Sequence, residues 1–155
     1  MMENKDIKFM IAALELAHEA ADIGEIPVGA IIVAPNGDII AKAYNLRETE
    51  KNATAHAEIL AIEQACAYLG GWRLQGCTLY VTLEPCPMCA GALVNSRIDR
   101  VVFGAYDMQA GCCGSVVNFN AYPFNHAFEI TGGVLEEECR KVLTDFFRTK
   151  RKDTI

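Results

Sequence analysis

Hydrophobic positions recur along this chain with two different periods, which predict helices and strands in alternation. The first apolar series has helical spacing and stops before Gly24, a residue typical of helix ends. Apolar runs at 28–33 and 39–44 predict two strands. Residues 35–38 between them, Pro-Asn-Gly-Asp, predict a hairpin turn, because Asn-Gly tolerates the positive φ that such turns require. The helical series consists of Ile7, Met10, Ile11, Leu14, His18 and Ala21.

Two further helices are predicted to begin close to polar motifs. Residues 56–68 have helical spacing, with Thr54 as a candidate N-cap and a Gly-Gly pair at the end. A buried strand is predicted at 78–83. The next helix is expected to begin at or beside Cys86, between two prolines that suit a first helical turn.

The remainder of the chain predicts strands at 101–103 and 128–131 and a closing helix at 136–150. Strands that alternate with helices after one hairpin indicate an α/β sandwich with a mixed sheet. The sequence contains no repeat and no linker, so a single domain over 1–155 is expected. Both motif-bearing helices follow β-rich stretches, which places their first residues at one end of the sheet, where crevice sites occur.

Composition supports a packed core and a cytoplasmic location. The chain has 155 residues, 52% of them hydrophobic, and a mean hydropathy of +0.14. No apolar run approaches the roughly 18 residues of a membrane helix. The polar, acidic start lacks a signal-peptide pattern. We therefore expect a cytoplasmic protein with no membrane partner.

Charge gives a divided indication about nucleic acid. A net charge of −6 and a pI of about 5.0 argue against a nucleic-acid partner when taken alone. The last predicted helix nevertheless ends in a basic tip, which is able to bind phosphates locally with a strong salt dependence. A solvated charged helix end is an equally good interpretation from charge alone. The tip consists of Arg148, Lys150, Arg151 and Lys152.

Seven cysteines form an odd set without a small-domain disulfide framework. We interpret Cys66, Cys77 and Cys139 as small buried apolar residues. The adjacent Cys112 and Cys113 have no His or Cys partner at ligand spacing, so they are interpreted as structural or incidental.

The remaining two cysteines belong to a motif with metal-ligand chemistry. His56-Ala57-Glu58 is followed by Pro85-Cys86-Pro87-Met88-Cys89. One imidazole and two thiolates suit one tetrahedral zinc ion whose fourth position stays open for water, as in catalytic sites. A capping histidine and a redox C-x-x-C pair are the alternatives for the isolated halves. The combination favours zinc, and the order of the two halves is the signature of zinc-dependent nucleobase deaminases.

The same motif supplies the groups that deamination requires. Zinc lowers the pKa of bound water, so hydroxide becomes available at neutral pH to attack the amine-bearing carbon of a base. Glu58, which is not needed as a ligand, is predicted to carry protons from that water to the ring nitrogen and to departing ammonia. Backbone N–H groups near Leu83, Glu84 or Cys86 are candidates for holding the bound oxygen. Glu84 is the alternative carboxylate, for which we favour a supporting role.

Beyond the metal motif, the chain resembles the bacterial tRNA adenosine deaminases over nearly its whole length. That resemblance implies a cytidine-deaminase-like fold, a three-layer α/β/α sandwich with a mixed five-stranded sheet. It also implies a homodimer that hydrolyses adenosine to inosine at the wobble position of the tRNA anticodon loop. The matching segments are 25–30, Asn45, 54–58, 79–104, 125–126 and 145–148.

Carried over by position, the resemblance gives roles to individual residues. His56, Cys86 and Cys89 would hold zinc and Glu58 would move protons. The substrate-binding residues it implies are Asn45 on the flipped-out base, Asp107 and Asn125 in loops, and Phe147, Lys150 and Arg151 on the last helix. Core packing beside Phe146 is the alternative for Phe147. The chain departs from the family pattern at Tyr106, at Cys112-Cys113 and over 118–124.

Two other functions compete with this one. A deaminase of free bases or nucleosides, of the guanine or cytosine type, shares the zinc site and fits the acidic charge better. A non-catalytic, zinc-stabilised binding module has no use for Glu58, so that carboxylate discriminates against it.

Overall fold

The structure, a computed structural model, describes residues 4–153, with side chains as far as 151. The side chain of Lys152 in the basic tip and both ends of the expected domain therefore lie outside the described part. Among the described residues, no helix combines the length and apolarity that crossing a membrane requires. In chain order the elements are α1 (Asn4–Asp22), β1 (Gly29–Val33), β2 (Ile39–Tyr44), α2 (Ala57–Leu69), β3 (Thr78–Leu83), α3 (Pro87–Asn95), β4 (Arg100–Ala105), a 3₁₀ turn (Phe119–Ala121), β5 (Glu129–Thr131) and α4 (Glu136–Asp153).

The strands form one mixed sheet of five strands in the order β2-β1-β3-β4-β5. β1 is antiparallel to both of its neighbours, whereas β3, β4 and β5 run parallel. The register places Val81 opposite Ala30 on one side and Phe103 on the other. The mixed five-stranded sheet is therefore confirmed.

Helices cover both faces of the sheet, because alternate strand residues point to opposite sides. One face packs against α2 and α3 and includes Ala57, Ala61, Ala65, Leu93 and Val94 with Ile32, Leu79, Val81 and Phe103. The other packs against α1 and α4 and includes Phe9, Met10, Ala13, Val134 and Cys139 with Ile31, Tyr80 and Val102. The three-layer sandwich is confirmed.

Strand direction decides where the loops meet. β2 and β3 are both antiparallel to β1, so they run in the same direction, and β4 runs parallel to β3. The carboxyl ends of all three strands therefore lie along one edge of the sheet. The segments after Tyr44, Leu83 and Ala105 leave from that edge.

Local predictions hold well except at the start of α2. Gly70 adopts φ 73° and caps α2, as the Gly-Gly pair predicts. The N-cap prediction for Thr54 is wrong, because the helix begins after His56 and Thr54 bonds to Asn52 Oδ1 instead. β4 is also longer than the predicted 101–103, since it extends to Ala105.

A buried polar cluster joins α1 to the sheet. Asp6, only 1% exposed, accepts hydrogen bonds from Tyr80 Oη at 2.7 Å and from both terminal nitrogens of Arg100 at 2.9 and 2.8 Å. Burial raises the pKa of Asp6, but the bonds from Arg100 and Tyr80 outweigh it and hold that pKa below its ordinary value. The ionised carboxylate therefore stabilises the folded state.

We expect Asp6→Asn to destabilise the fold by about 2–4 kcal/mol at neutral pH, because Arg100 loses its buried counter-charge. The ionised carboxylate contributes fully above the ordinary pKa of 3.8 and loses its contribution as the pH falls through the lower folded-state pKa. The difference in the free energy of unfolding between wild type and variant should therefore narrow in acid. Urea unfolding of both proteins at pH 7 and near pH 3 measures it, and a difference independent of pH would contradict it.

Gly29 lies where α1 crosses β1 without space for a side chain. A Cβ at this position would meet Ala13 O and lie 2.7 Å from Ala17 N. We expect Gly29→Ala to cost about 1–3 kcal/mol by overpacking. Gly91, in α3, is the matched control, because a Cβ there meets nothing within 4 Å and Gly91→Ala should stabilise the helix by about 0.5–1 kcal/mol. Thermal unfolding at equal chain concentration should show opposite shifts, and equal shifts would refute the packing argument.

Candidate metal centre and deaminase active site

Two helix N-termini meet at the sheet edge and bring together the three predicted ligands. His56 is the N-cap of α2, Cys86 is the N-cap of α3, and Cys89 lies in the first turn of α3. His56 Nδ1 is 3.7 Å from Cys86 Sγ and 3.6 Å from Cys89 Sγ. All three donor atoms lie within 4.8 Å of one another. One nitrogen and two sulfurs at this spacing fit a single zinc ion.

The cap positions explain why these side chains face one another. His56 and Cys86 have extended backbones, with φ/ψ of −74°/151° and −78°/176°, and neither side chain makes a capping hydrogen bond. Pro87 occupies the first turn of α3, where a missing N–H is tolerated. A helix N-terminus favours negative charge, so α3 favours the thiolate form of its N-cap residue Cys86.

Proton sharing within the cluster favours one thiolate. The hydrogen bond from Cys89 outweighs burial and, together with the bond from His56, lowers the pKa of Cys86 to about 4. The bond to Cys86, together with burial, raises the pKa of Cys89. The bond to Cys86 also raises the pKa of His56. The negative charge of the cluster therefore lies on Cys86.

Glu58 lies beside this cluster but outside the ligand set. It is in the first turn of α2 and only 4% exposed. Burial is the largest cause that raises the pKa of its carboxyl to about 7, and the charge on Cys86 adds to it. A carboxyl with this pKa can both accept and release a proton near neutral pH.

A cavity of about 200 Å³ opens onto the cluster and joins residues from five chain segments. Apolar side chains of Ile26, Val28 and Leu83 form part of its wall. The predicted site residues that line it are Asn45, His56, Glu58, Cys86 and Asp107, and further lining residues are Arg47, Ala57, Glu84 and Ala110. An apolar wall with a few polar groups is typical of a small-ligand site.

Asn45 is fixed at the mouth of the cavity. It is 6% exposed, its backbone N–H donates to Val28 O at 3.1 Å and its Oδ1 accepts from Arg47 N at 3.1 Å. Its Nδ2 donates to Ile26 O at 3.3 Å. These bonds hold the amide in one orientation toward the cavity wall.

The last helix approaches the site from the side. A groove of about 470 Å³ runs between the loop after Tyr44 and α4, and it shares Ile26, Asn45 and Arg47 with the cavity. Phe147 and Lys150 line this groove. Phe147 is 42% exposed and packs edge-on against Phe146, so it is not a fully buried core residue.

Two predicted substrate residues are not brought to these surfaces. Asn125 and Arg151 are exposed, and neither belongs to the described residues that line the cavity or the groove. Sequence reasoning missed Arg47, which lines both. Its position two residues after Asn45 was the available signal.

The structure decides two further expectations about the loop after β3. The N–H of Glu84 donates to Ala105 O at 2.9 Å, so Glu84 is wrong as a candidate for holding the bound oxygen, and Leu83 and Cys86 stay predictions. The Glu84 carboxylate bonds to the loop 107–115, in agreement with a supporting role. Glu58 therefore remains the carboxyl beside the ligand cluster.

Comparison with known proteins defines the class. Residues 3–105 match the family model for the cytidine and deoxycytidylate deaminase zinc-binding region. That range contains His56, Glu58, Cys86 and Cys89 and most of the sheet. The fold and the site are thus those of the zinc-binding deaminases.

Relatives narrow this class. A Bacillus subtilis protein named tRNA-specific adenosine deaminase is 55% identical over 96% of this chain and 92% of its own length. The chain belongs to the tRNA-specific adenosine deaminase family. A solved structure from a study of A-to-I editing by tRNA deaminases at the wobble position is 42% identical, with a TM-score of 0.85 over 88% of this chain and 99% of that one. The structure of a Bacillus subtilis guanine deaminase is also 42% identical, but its TM-score is 0.62 over 68% of this chain and 66% of that one.

Proposed function

We propose that this protein hydrolyses adenosine to inosine at the wobble position of tRNA, in the cytoplasm and as a homodimer. One zinc ion per chain is held by His56, Cys86 and Cys89, and Glu58 moves the protons. The observation that carries the proposal is the convergence of three soft donors within 4.8 Å beside a cavity that contains a buried, unligated carboxyl.

The donor set fits zinc in number and chemistry. Three protein donors leave a fourth tetrahedral position for water, which is the arrangement of a catalytic site. Bound there, zinc supplies a water that loses its proton near neutral pH. The cavity offers this position access to a base.

Glu58 carries protons in both halves of the reaction. Its carboxylate takes a proton from water and gives it to the ring nitrogen beside the amine-bearing carbon. The oxygen that has bonded to that carbon still carries one proton, which the carboxylate takes up and passes to the amine, so the C–N bond breaks and ammonia leaves. Burial raises the pKa of this carboxyl to about 7, so it can both take up and release a proton near neutral pH.

The cavity positions the target base, and the adjoining groove holds the rest of the anticodon loop. Asn45 presents an oriented amide, which can donate to and accept from a purine edge. The apolar wall of Ile26, Val28 and Leu83 accommodates the ring faces. A cavity of about 200 Å³ has room for little more than one base, so the target nucleotide must be flipped out of its stack.

The adjoining groove suits the rest of an anticodon loop. Arg47 and Lys150 bring positive charge to it, and the half-exposed ring of Phe147 offers a surface for stacking. Asp107 contacts the anticodon loop from the wall of the cavity. Asn125 and Arg151 contact the RNA outside the groove. Arg47 and Lys150 can contact phosphates locally despite the net charge of −6, and Glu25 and Glu48 also line the groove.

Inosine formation on synthetic RNA tests the proposal. The zinc-bearing protein should convert adenosine to inosine in an anticodon stem-loop with adenosine at the wobble position. A stem-loop with that adenosine moved to the neighbouring anticodon position is the matched control and should stay unchanged. Turnover of free guanine or cytosine without reaction of the stem-loop would establish the free-base alternative, and a protein that binds zinc but turns over none of these substrates would support the binding module.

A further inference from the structure

Glu84 makes an unusually complete set of hydrogen bonds for a carboxylate next to a metal motif. It is 2% exposed and follows β3, two residues before Cys86. Its Oε1 accepts from Asp107 N at 3.0 Å and from Ser115 Oγ. Its Oε2 accepts from Cys113 N and Ser115 N, both at 3.0 Å. All of these donors belong to the loop 107–115.

These bonds require a carboxylate. Two oxygens that face N–H and O–H donors from several directions can satisfy them only if neither oxygen carries a proton or an amino group. A glutamine of the same shape keeps one accepting oxygen and turns an NH₂ group toward backbone donors. The loop would then lose the hydrogen bonds to one of the two oxygens, and the NH₂ group in that place would repel the N–H donors of the loop.

The same segment is tied to the loop at further points. Cys112 N donates to Pro85 O at 2.9 Å, one residue before the ligand Cys86. Gly111 packs so closely against the carboxylate that an added Cβ would lie 2.5 Å from Glu84 Oε1. The loop therefore cannot move without disturbing the segment that carries Cys86.

The loop forms one wall of the cavity. Asp107 and Ala110 line it, and Asp107 Oδ1 accepts from Gln109 N and Ala110 N at 3.0 and 3.1 Å. Those two bonds are local, so they shape the turn without fixing its position relative to the metal ligands. The bonds to Glu84 supply that missing connection.

We propose that Glu84 is a positioning residue that sets the Asp107–Ala110 wall of the cavity at a fixed distance from the metal cluster. The inference rests on the proposed function, because it assigns this wall to substrate binding. Its main effect is on substrate affinity, since the carboxylate reaches the wall and not the reacting atoms.

The opposite wall has its own anchor, which supplies a comparison. Glu25, 1% exposed, accepts from Glu48 N at 3.1 Å and from Thr49 N and Thr49 Oγ1 at 2.6 Å. It holds the loop that follows Asn45 and does not bond to the loop 107–115 among the described residues. Glu25→Gln therefore changes a buried carboxylate in the same way, but it affects the loop after Asn45 and not the loop 107–115.

The test is Glu84→Gln in the zinc-bearing protein, assayed on whichever substrate the wild type turns over. We expect KM to rise about 10–100-fold while kcat per zinc-bearing chain changes little. Amide exchange should accelerate at Asp107, Cys113 and Ser115 but stay unchanged at Glu48 and Thr49. Glu25→Gln should give the reverse exchange pattern.

Separate outcomes decide the proposal. An unchanged KM with unchanged exchange at the three loop amides would overturn it, as would a loss of activity that follows a loss of zinc. Should Glu84→Gln fail to fold, Ser115→Ala removes the hydroxyl donor and should raise KM in the same direction by a smaller factor; an unchanged KM there overturns the proposal. Amide exchange is measured without substrate, so it tests the role of Glu84 independently of the proposed function. If the tRNA assignment fails, the protein should turn over a different substrate, and the exchange pattern of Glu84→Gln should stay as expected.

Discussion

Glu58→Ala should abolish deamination and leave the zinc in place. The buried carboxyl beside the ligand cluster is the group proposed to move protons in both steps, so its removal deletes acid and base together. General acid–base catalysis contributes about 10²–10⁴-fold, and we expect a loss at the upper end of that range. The ligand atoms of His56, Cys86 and Cys89 are untouched, so one zinc per chain should remain.

Glu63→Ala is the matched control for this experiment. Glu63 lies on the same helix, α2, and is exposed, so the same change in side chain should leave the rate unaltered. Single-turnover inosine formation and metal analysis of both variants separate chemistry from metal binding. Full activity of Glu58→Ala would show that another group carries the protons, and loss of zinc would show that the carboxyl supports the metal.

Cys86→Ala should lose both the metal and the activity. The Cys86 thiolate is one of the three donors that lie within 4.8 Å of one another, and its pKa of about 4 keeps it ionised at neutral pH. Two remaining donors bind zinc much more weakly, because each thiolate contributes a large share of an affinity that reaches about 10–16 kcal/mol in complete sites. Zinc content should fall from one per chain to nearly none.

Cys66→Ala serves as the control for loss of a thiol. Cys66 lies on α2, and its Sγ approaches Trp72 O at 3.7 Å. Burial raises the pKa of its thiol, so it is not a thiolate at neutral pH. This variant should keep its zinc and its rate, and equal zinc loss in the two variants would contradict the ligand assignment.

Features that depend on neighbours in sequence were predictable. The predicted turn at 35–38 is present, and its positive φ of 93° lies at Gly37, whereas Asn36 is not among the described residues with a positive φ. The α3 start at Cys86 follows from the flanking prolines. The His56, Glu58, Cys86 and Cys89 cluster was predictable because the spacing of its residues reflects coordination chemistry, which requires few residue types.

Features that depend on distant contacts were not predictable in the same way. Thr54 has the residue type of an N-cap, but the helix begins at His56, whose side chain turns to the two cysteines. The loop 107–115 has no periodic pattern. Its hydrogen bonds to Glu84 come from Cys113 and Ser115, which follow Glu84 by 29 and 31 positions in the sequence. Arg47 becomes part of two surfaces only because α4 returns beside its loop.

The position of β1 between β2 and β3 has a consequence for how a newly made chain matures. His56 follows β2 and the two cysteines follow β3, so the pairing of both strands with β1 brings the three donors to one edge of the sheet. A nascent polypeptide that has not yet released Cys89 from the ribosome has no cage for the ion. Metal binding therefore links the segments after β2 and β3 and stabilises their pairing with β1, and the complete donor set is available only once Cys89 has left the ribosome.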